Sequence, residues 1–192
     1  MRTGSSAVRF RASLLPGRWD KEMTNKVTIR KAFGDDLKAI GNLWQEFMDF
    51  HKSRDSHFAR STDGHERFKE FISVHMTSDT SCVLVAERDG KPVGYCLATL
   101  AKYPPVFENR DFGTVFDLAV TERYRRNGIG ERLYHAVQTW FADHGVHRIE
   151  VRVVVSNETS TAFWKRWGLS PMRKQFLRPY KKSQQTAQPD RQ

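Results

Sequence analysis

Cysteine is scarce in this chain, with two among 192 residues. Two thiols cannot build a disulfide framework, nor a four-ligand zinc site on their own. Long apolar runs are missing too. No stretch approaches the roughly 18 apolar residues of a membrane-spanning helix, so a soluble chain is expected, with no membrane partner. Net charge is small where a binding face would need it. The chain carries +10 overall, yet residues 27–170 hold 20 basic against 19 acidic side chains. The excess lies in residues 1–26, with six basic and two acidic, and in 171–192, with six basic and one acidic. A nucleic-acid face across the body is therefore disfavoured, and tail-mediated nucleic-acid binding is the weakest function class. No internal repeat is visible. What is present is 39% hydrophobic and 12% aromatic content. That is too apolar for disorder, and the length suits one folded domain.

The ends read differently from the body. Residues 1–22 have four arginines before their first acid, Asp20. That resembles an organellar transit peptide, but a plain extension, or a true start at Met23, is favoured. A cytoplasmic protein is the expectation, with an organellar one as the alternative. Residues 1–26 are assigned to a flexible basic extension, 27–180 to one domain, and 181–192 to a polar tail.

Within the body, Val27–Ala32 alternates as a strand. A helix follows with Leu37, Ile40, Leu43, Trp44, Phe47 and Met48 on one face. Residues 51–63 are polar and form a loop, and a second helix covers about 64–77. Asp89-Gly90 is a strong hairpin signal. A two-residue turn pairs Arg88 with Lys91 and hence Cys82 with Leu97. Cys82 and Cys96 then face opposite sides of the sheet, as core thiols of a reducing compartment. Residues 102–112 form a loop, Thr114–Val120 a strand, and 128–144 a helix with Ile129, Leu133, Val137, Trp140 and Phe141 inward. A strand over Arg148–Val155, a short helix at about 158–167 and a closing strand near 172–180 complete a β-α-α-β-β-β-α-β-α-β order. The fold class is α/β, a mixed sheet with helices on both faces.

Chemistry concentrates in residues 116–133. A strand, a short loop, Gly128-x-Gly130 and an amphipathic helix follow in that order. Small residues admit close backbone approach, and the helix start offers unpaired N–H groups. With Arg125 and Arg126 beside it, this is a site for a phosphate or pyrophosphate. A dinucleotide fingerprint fits poorly. Leu133 occupies the third small position, and seven residues separate the strand from the first glycine.

Arg125-Arg126-Asn127-Gly128-Ile129-Gly130 resembles the Arg/Gln-x-x-Gly-x-Gly/Ala signature of the GNAT superfamily of N-acetyltransferases. The resemblance extends over Val27–Leu169 and includes a late asparagine, Asn157. It implies a mostly antiparallel, twisted GNAT-like sheet whose motif strand is bulged and splayed from the next. It implies acetyl-CoA as cosubstrate and a primary amine of a small molecule or peptide as acceptor. Leu118, Ala119 and Val120 would supply main-chain contacts to the donor, and Arg125, Arg126, Asn127, Gly128, Ile129 and Gly130 would cradle its pyrophosphate. Asn157 is either a pantetheine contact or a helix cap. Asp117 is the leading base, and a structural acceptor role stands beside it. The family's usual tyrosine acid is replaced by Trp164, which cannot protonate a thiolate. A non-catalytic CoA-binding module is therefore the runner-up. Tyr134 and Tyr124 are substitute acids. The family's acceptor sites imply roles for His51, Asp55, His57, Tyr103 and Glu108, all in loop segments. His144 and His147 lack metal-ligand company, so no metal is expected. By analogy with the family, residues 172–180 would serve a homodimer.

Overall fold

The computed structural model describes residues 27–172. The assigned extension, the tail and nearly all of the closing strand with its dimer role lie outside the described residues. Two compact units divide the chain after Val154.

The first unit is built on a five-stranded sheet in the order β1-β2-β3-β4-β5. The strands are β1 (Val27–Lys31), β2 (Ser81–Arg88), β3 (Lys91–Lys102), β4 (Asp111–Val120) and β5 (Ile149–Val151). The first four pair antiparallel, and β4 pairs β5 in parallel. Helices α1 (Leu37–Lys52) and α2 (Gly64–Thr77) join β1 to β2, and α3 (Ile129–Asp143) joins β4 to β5. This is the mixed, mostly antiparallel sheet that the sequence implies.

A buried acid holds the turn into α1. Asp36 precedes α1, accepts from the Phe33 N–H at 2.8 Å and receives both terminal nitrogens of Arg30 at 2.7 and 2.9 Å. The Arg30 guanidinium holds this buried carboxyl below the usual carboxylate range. The apolar stripes of α1 and α2 then close over one sheet face. Ile40, Leu43, Phe68 and Ile72 pack with Val83, Val85, Tyr95 and Leu97. The other face belongs to α3, whose Phe141 ring leaves only 2.3 Å to where a Cβ on Gly113 would stand. Gly113 is thus a packing requirement, because any side chain would collide with that ring.

Two strands carry an extra residue, and both change faces. In the hairpin, Asp89 and Gly90 adopt φ +50° and +73°, and Arg88 pairs with Lys91 as expected. Beyond that the pairing slips, with Glu87 opposite Pro92 and Ala86 opposite Gly94. Val93 is bulged out, so Cys82 pairs with Ala98, not Leu97. The expected separation of the two thiols is corrected accordingly. Leu84 pairs with Cys96, which puts Cys96 on the same face as Cys82. Both are buried and free. The second extra residue is Phe116, since Leu97 pairs with Asp117 while Ala98 pairs with Val115.

β5 is shorter than expected. Only Ile149–Val151 is strand, and Val155 is 94% exposed. The second unit holds α4 (Glu158–Arg166), close to the expected 158–167.

Candidate active site

The Phe116 bulge builds the site. Before it, Gly113 and Val115 point toward α3. After it, Asp117 lies opposite Leu97 and so shares the face covered by α1 and α2. The bulge also marks where β4 loses its second neighbour. Pairing with β5 runs only from Gly113 to Val115. From Phe116 onward, that edge of β4 has no strand partner among the described residues. Strand alternation turns the main-chain groups of Leu118 and Val120 to the open edge and those of Ala119 toward Tyr95 of β3. The Val120 carbonyl accepts from Arg125 Nε at 2.8 Å.

Asp117 is anchored to β3. The hydroxyl of Tyr95, itself fully buried, donates to Asp117 Oδ2 at 2.9 Å. Burial pushes the Asp117 carboxyl up, while the Tyr95 hydrogen bond and the nearby His51 pull it down. Its residue surface is only half-buried. His51 lies buried on α1 among the rings of Phe47, Phe50 and Phe58. Its Nδ1 donates to the Phe47 carbonyl at 2.8 Å, which fixes the tautomer when the ring is neutral.

The Gly-x-Gly loop enters α3 without a side-chain cap. The first intrahelical bond runs from Arg132 N–H to the Gly128 carbonyl at 3.1 Å. The N–H groups of Ile129 and Gly130 therefore precede the helical ladder and have no intrahelical acceptor. Gly128 adopts φ +72°, with nothing within 4 Å of where its Cβ would project. Arg126 is also left-handed, at φ +63°. Asn127 turns its amide inward, Nδ2 donating to the Arg125 carbonyl at 3.1 Å. Arg125 is engaged as well, its Nη2 pairing with Glu46 Oε1 at 2.9 Å.

The remaining expected residues are spread out. Asp55 and His57 are exposed in the α1–α2 loop, where Asp55 Oδ1 accepts from the His57 N–H at 2.9 Å. Tyr103 and Glu108 lie by the β3–β4 connection, where Lys102 pairs with Asp111. Six residues of strand, about 20 Å, separate Asp111 from Asp117. Tyr103 is spent locally, bonding Glu150 and stacking on Phe112 at 4.4 Å. The structure does not bring these two to Asp117.

In the second unit, Asn157 caps α4, with Oδ1 accepting from the Ser160 N–H at 3.0 Å. Trp164 is buried there, and its indole N–H donates to Ser160 Oγ at 3.1 Å. Tyr134 is a core residue of α3, and burial pushes its hydroxyl up to about 12. Tyr95 and Glu46 carry no role in the sequence reading. Tyr95 needed both strand registers to be known, and Glu46 sits 79 residues from its partner Arg125.

The sequence model of the Acetyltransferase (GNAT) family matches residues 40–169. The chain belongs to the GNAT family. It is an acyltransferase by that membership, and the family uses acetyl-CoA. Among curated relatives, this GNAT chain is 31% identical over 105 residues to an uncharacterized N-acetyltransferase of Archaeoglobus fulgidus, covering 55% of this chain and 67% of that one. It is 29% identical over 118 residues to an N-alpha-acetyltransferase of Sulfurisphaera tokodaii, covering 57% and 68%. The fold recurs in the BH1408 protein of Bacillus halodurans, solved as a tetramutant, with a TM-score of 0.71 at 24% identity over 80% of this chain and 99% of that one. It recurs also in the aminoglycoside N-acetyltransferase AAC(6')-Iy in complex with CoA, with a TM-score of 0.62 at 18% identity over 87% and 99%.

Proposed function

We propose that this GNAT protein transfers the acetyl group of acetyl-CoA directly to a primary amine of a small molecule or a peptide. The observation that carries the reading is the Phe116 bulge. One extra residue both opens the β4 edge and turns Asp117 onto the α1 face.

The residues present fit the donor. The uncapped N–H groups at Ile129 and Gly130, with the positive end of α3 behind them, suit a pyrophosphate. The clear space at Gly128 leaves that helix mouth unblocked. The Leu118 and Val120 groups on the open edge suit an amide-bearing arm, and an N–H there can polarise a carbonyl. Bound acetyl-CoA supplies an activated acyl thioester.

Asp117 takes the proton of the acceptor ammonium. Tyr95 engages Oδ2 and holds the carboxylate in one orientation, leaving Oδ1 for the proton. A carboxyl raised by burial is a better base near neutral pH than one in water. The nearby His51 works against that rise. Position 164 contributes no acid, because an indole N–H cannot protonate a thiolate, and the leaving sulfur departs as the weakly basic thiolate when the C–S bond breaks. The acceptor enters from the α1–α2 loop, past His51, Asp55 and His57. Tyr103 and Glu108 stand outside this arrangement.

The test is thiol release from acetyl-CoA against a panel of primary amines. Wild type should turn over at least one member. Asp117→Asn should bind acetyl-CoA normally but lose about 100-fold or more in turnover. Gly128→Glu should lose acetyl-CoA binding. An inert wild type across peptide and small-molecule amines would sink the catalytic reading.

A further inference from the structure

Glu46 lies on α1, five residues before His51, and its carboxylate reaches out of the helix to the donor loop. It accepts from Thr121 Oγ1 at 2.8 Å, from the Glu122 N–H at 2.7 Å and from Arg125 Nη2 at 2.9 Å. All three donors belong to the segment between β4 and α3. Arg125 completes the clamp by bonding the Val120 carbonyl and by lying 5.4 Å from the Phe50 ring on the same helix.

Stability alone does not account for this arrangement. Glu46 and Arg125 are each about one-third exposed, at 35% and 36%, and an ion pair at that exposure adds little to folding. The loop it grips is conformationally demanding. Arg126, next in sequence, is left-handed without being glycine, and Gly128 is left-handed two residues on. Such backbone persists only where its surroundings hold it.

We propose that Glu46 is a positioning residue of the donor site. It holds Thr121–Arg125 against α1 and so preforms the Arg126–Gly130 loop. Because α1 also carries His51, one helix sets both the donor loop and a neighbour of the Asp117 base. The inference rests on the reading of that loop as the pyrophosphate site.

Calorimetric titration of the full-length protein with acetyl-CoA tests it, alongside steady-state kinetics. Glu46→Gln should weaken acetyl-CoA binding about ten-fold through lost preorganisation, with kcat at saturating donor changed less than about three-fold. Arg125→Gln should weaken binding similarly, and the double variant should be no worse than either single one. Thr121→Val removes one contact and should weaken binding about three-fold, which keeps the test open if Glu46→Gln folds poorly. Arg30→Gln breaks a different ion-pair cluster, with Asp36 and Glu87, and should lower the melting temperature without changing donor affinity. Donor affinity of Glu46→Gln within two-fold of wild type, with Gly128→Glu unable to bind, overturns the role of Glu46 and leaves the loop reading standing. Normal binding by both variants overturns both. Equal loss of affinity in Glu46→Gln and Arg30→Gln at matched melting temperatures also overturns the proposal, since it would mark a general packing effect.

Discussion

Gly113→Ala is the most exacting test of how this sheet holds its helix. An alanine Cβ would stand 2.3 to 2.6 Å from three atoms of the Phe141 ring. Ordinary carbon contacts lie near 3.5 Å, so about 1 Å of separation must be found. Phe141 is fully buried, and Gly113 is pinned by its N–H to the Arg148 carbonyl at 2.8 Å. If strand and helix strain apart, the expected cost is about 1–3 kcal/mol. If the ring is expelled, it approaches the roughly 3–5 kcal/mol of deleting a buried phenyl group. A value near 3 kcal/mol corresponds to a fall of about 6–12 °C in Tm for a chain of this size. Urea denaturation of Gly113→Ala, Phe141→Leu and the double variant measures it. The alanine methyl should fit better beside leucine, giving a coupling of about 1–2 kcal/mol in the double variant. A cost below about 0.5 kcal/mol for Gly113→Ala, or simple additivity, would refute the packing argument.

Other expectations concern titration and reactivity. The fold raises the Asp117 pKa, so stability linked to this group is present at low pH and is lost as pH rises through the folded value. Asp117→Asn should therefore match or exceed wild-type Tm above that value, with the advantage fading on acidification; a deficit relative to wild type that grows from acid to neutral pH would contradict the desolvation argument. Tyr95→Phe removes a hydrogen bond that lowers the Asp117 pKa, so the acidic limb of the pH–rate profile should move to higher pH. An unmoved limb would mean that the limb reports another group. Burial pushes the Cys82 thiol up to about 12 and Cys96 well above its ordinary range. Neither should react with a thiol reagent in native protein at pH 8, and both should react in denaturant; rapid native labelling would contradict this.

Much of the fold was legible in local sequence. The apolar spacing of Ile129, Leu133, Val137 and Phe141 is the buried face of α3. Asp89-Gly90 named its turn, and Arg88 does pair with Lys91. The Gly-x-Gly entry into α3 was legible because glycine spacing and a helix start are sequence-local features. What escaped depends on residues distant in the chain. The Val93 bulge cannot be seen from the turn, so counting residues back from Asp89-Gly90 placed Cys96 on the wrong face. The Tyr95–Asp117 contact requires two registers at once. Glu46 offers no pattern of its own, being one carboxylate on the polar side of an amphipathic helix. Trp164 was legible as a packing residue, and it is buried with its indole N–H bonded to Ser160.

Phe116 also shows that strand register in β4 is a chemical variable. Deleting that one residue would restore unbroken alternation and still leave Asp117 opposite Leu97, on the α1 face. Drawing Phe116 into the ladder would instead set it opposite Leu97 and carry Asp117 opposite Cys96, toward α3. The protein would then retain its carboxylate, its tyrosine and its glycine loop, yet hold the carboxylate in the wrong compartment. A substitution scan of this strand would miss that dependence, because it is carried by the register of β4 against β3. Register changes between Val115 and Asp117 are therefore the changes that should separate active from inactive relatives of this chain.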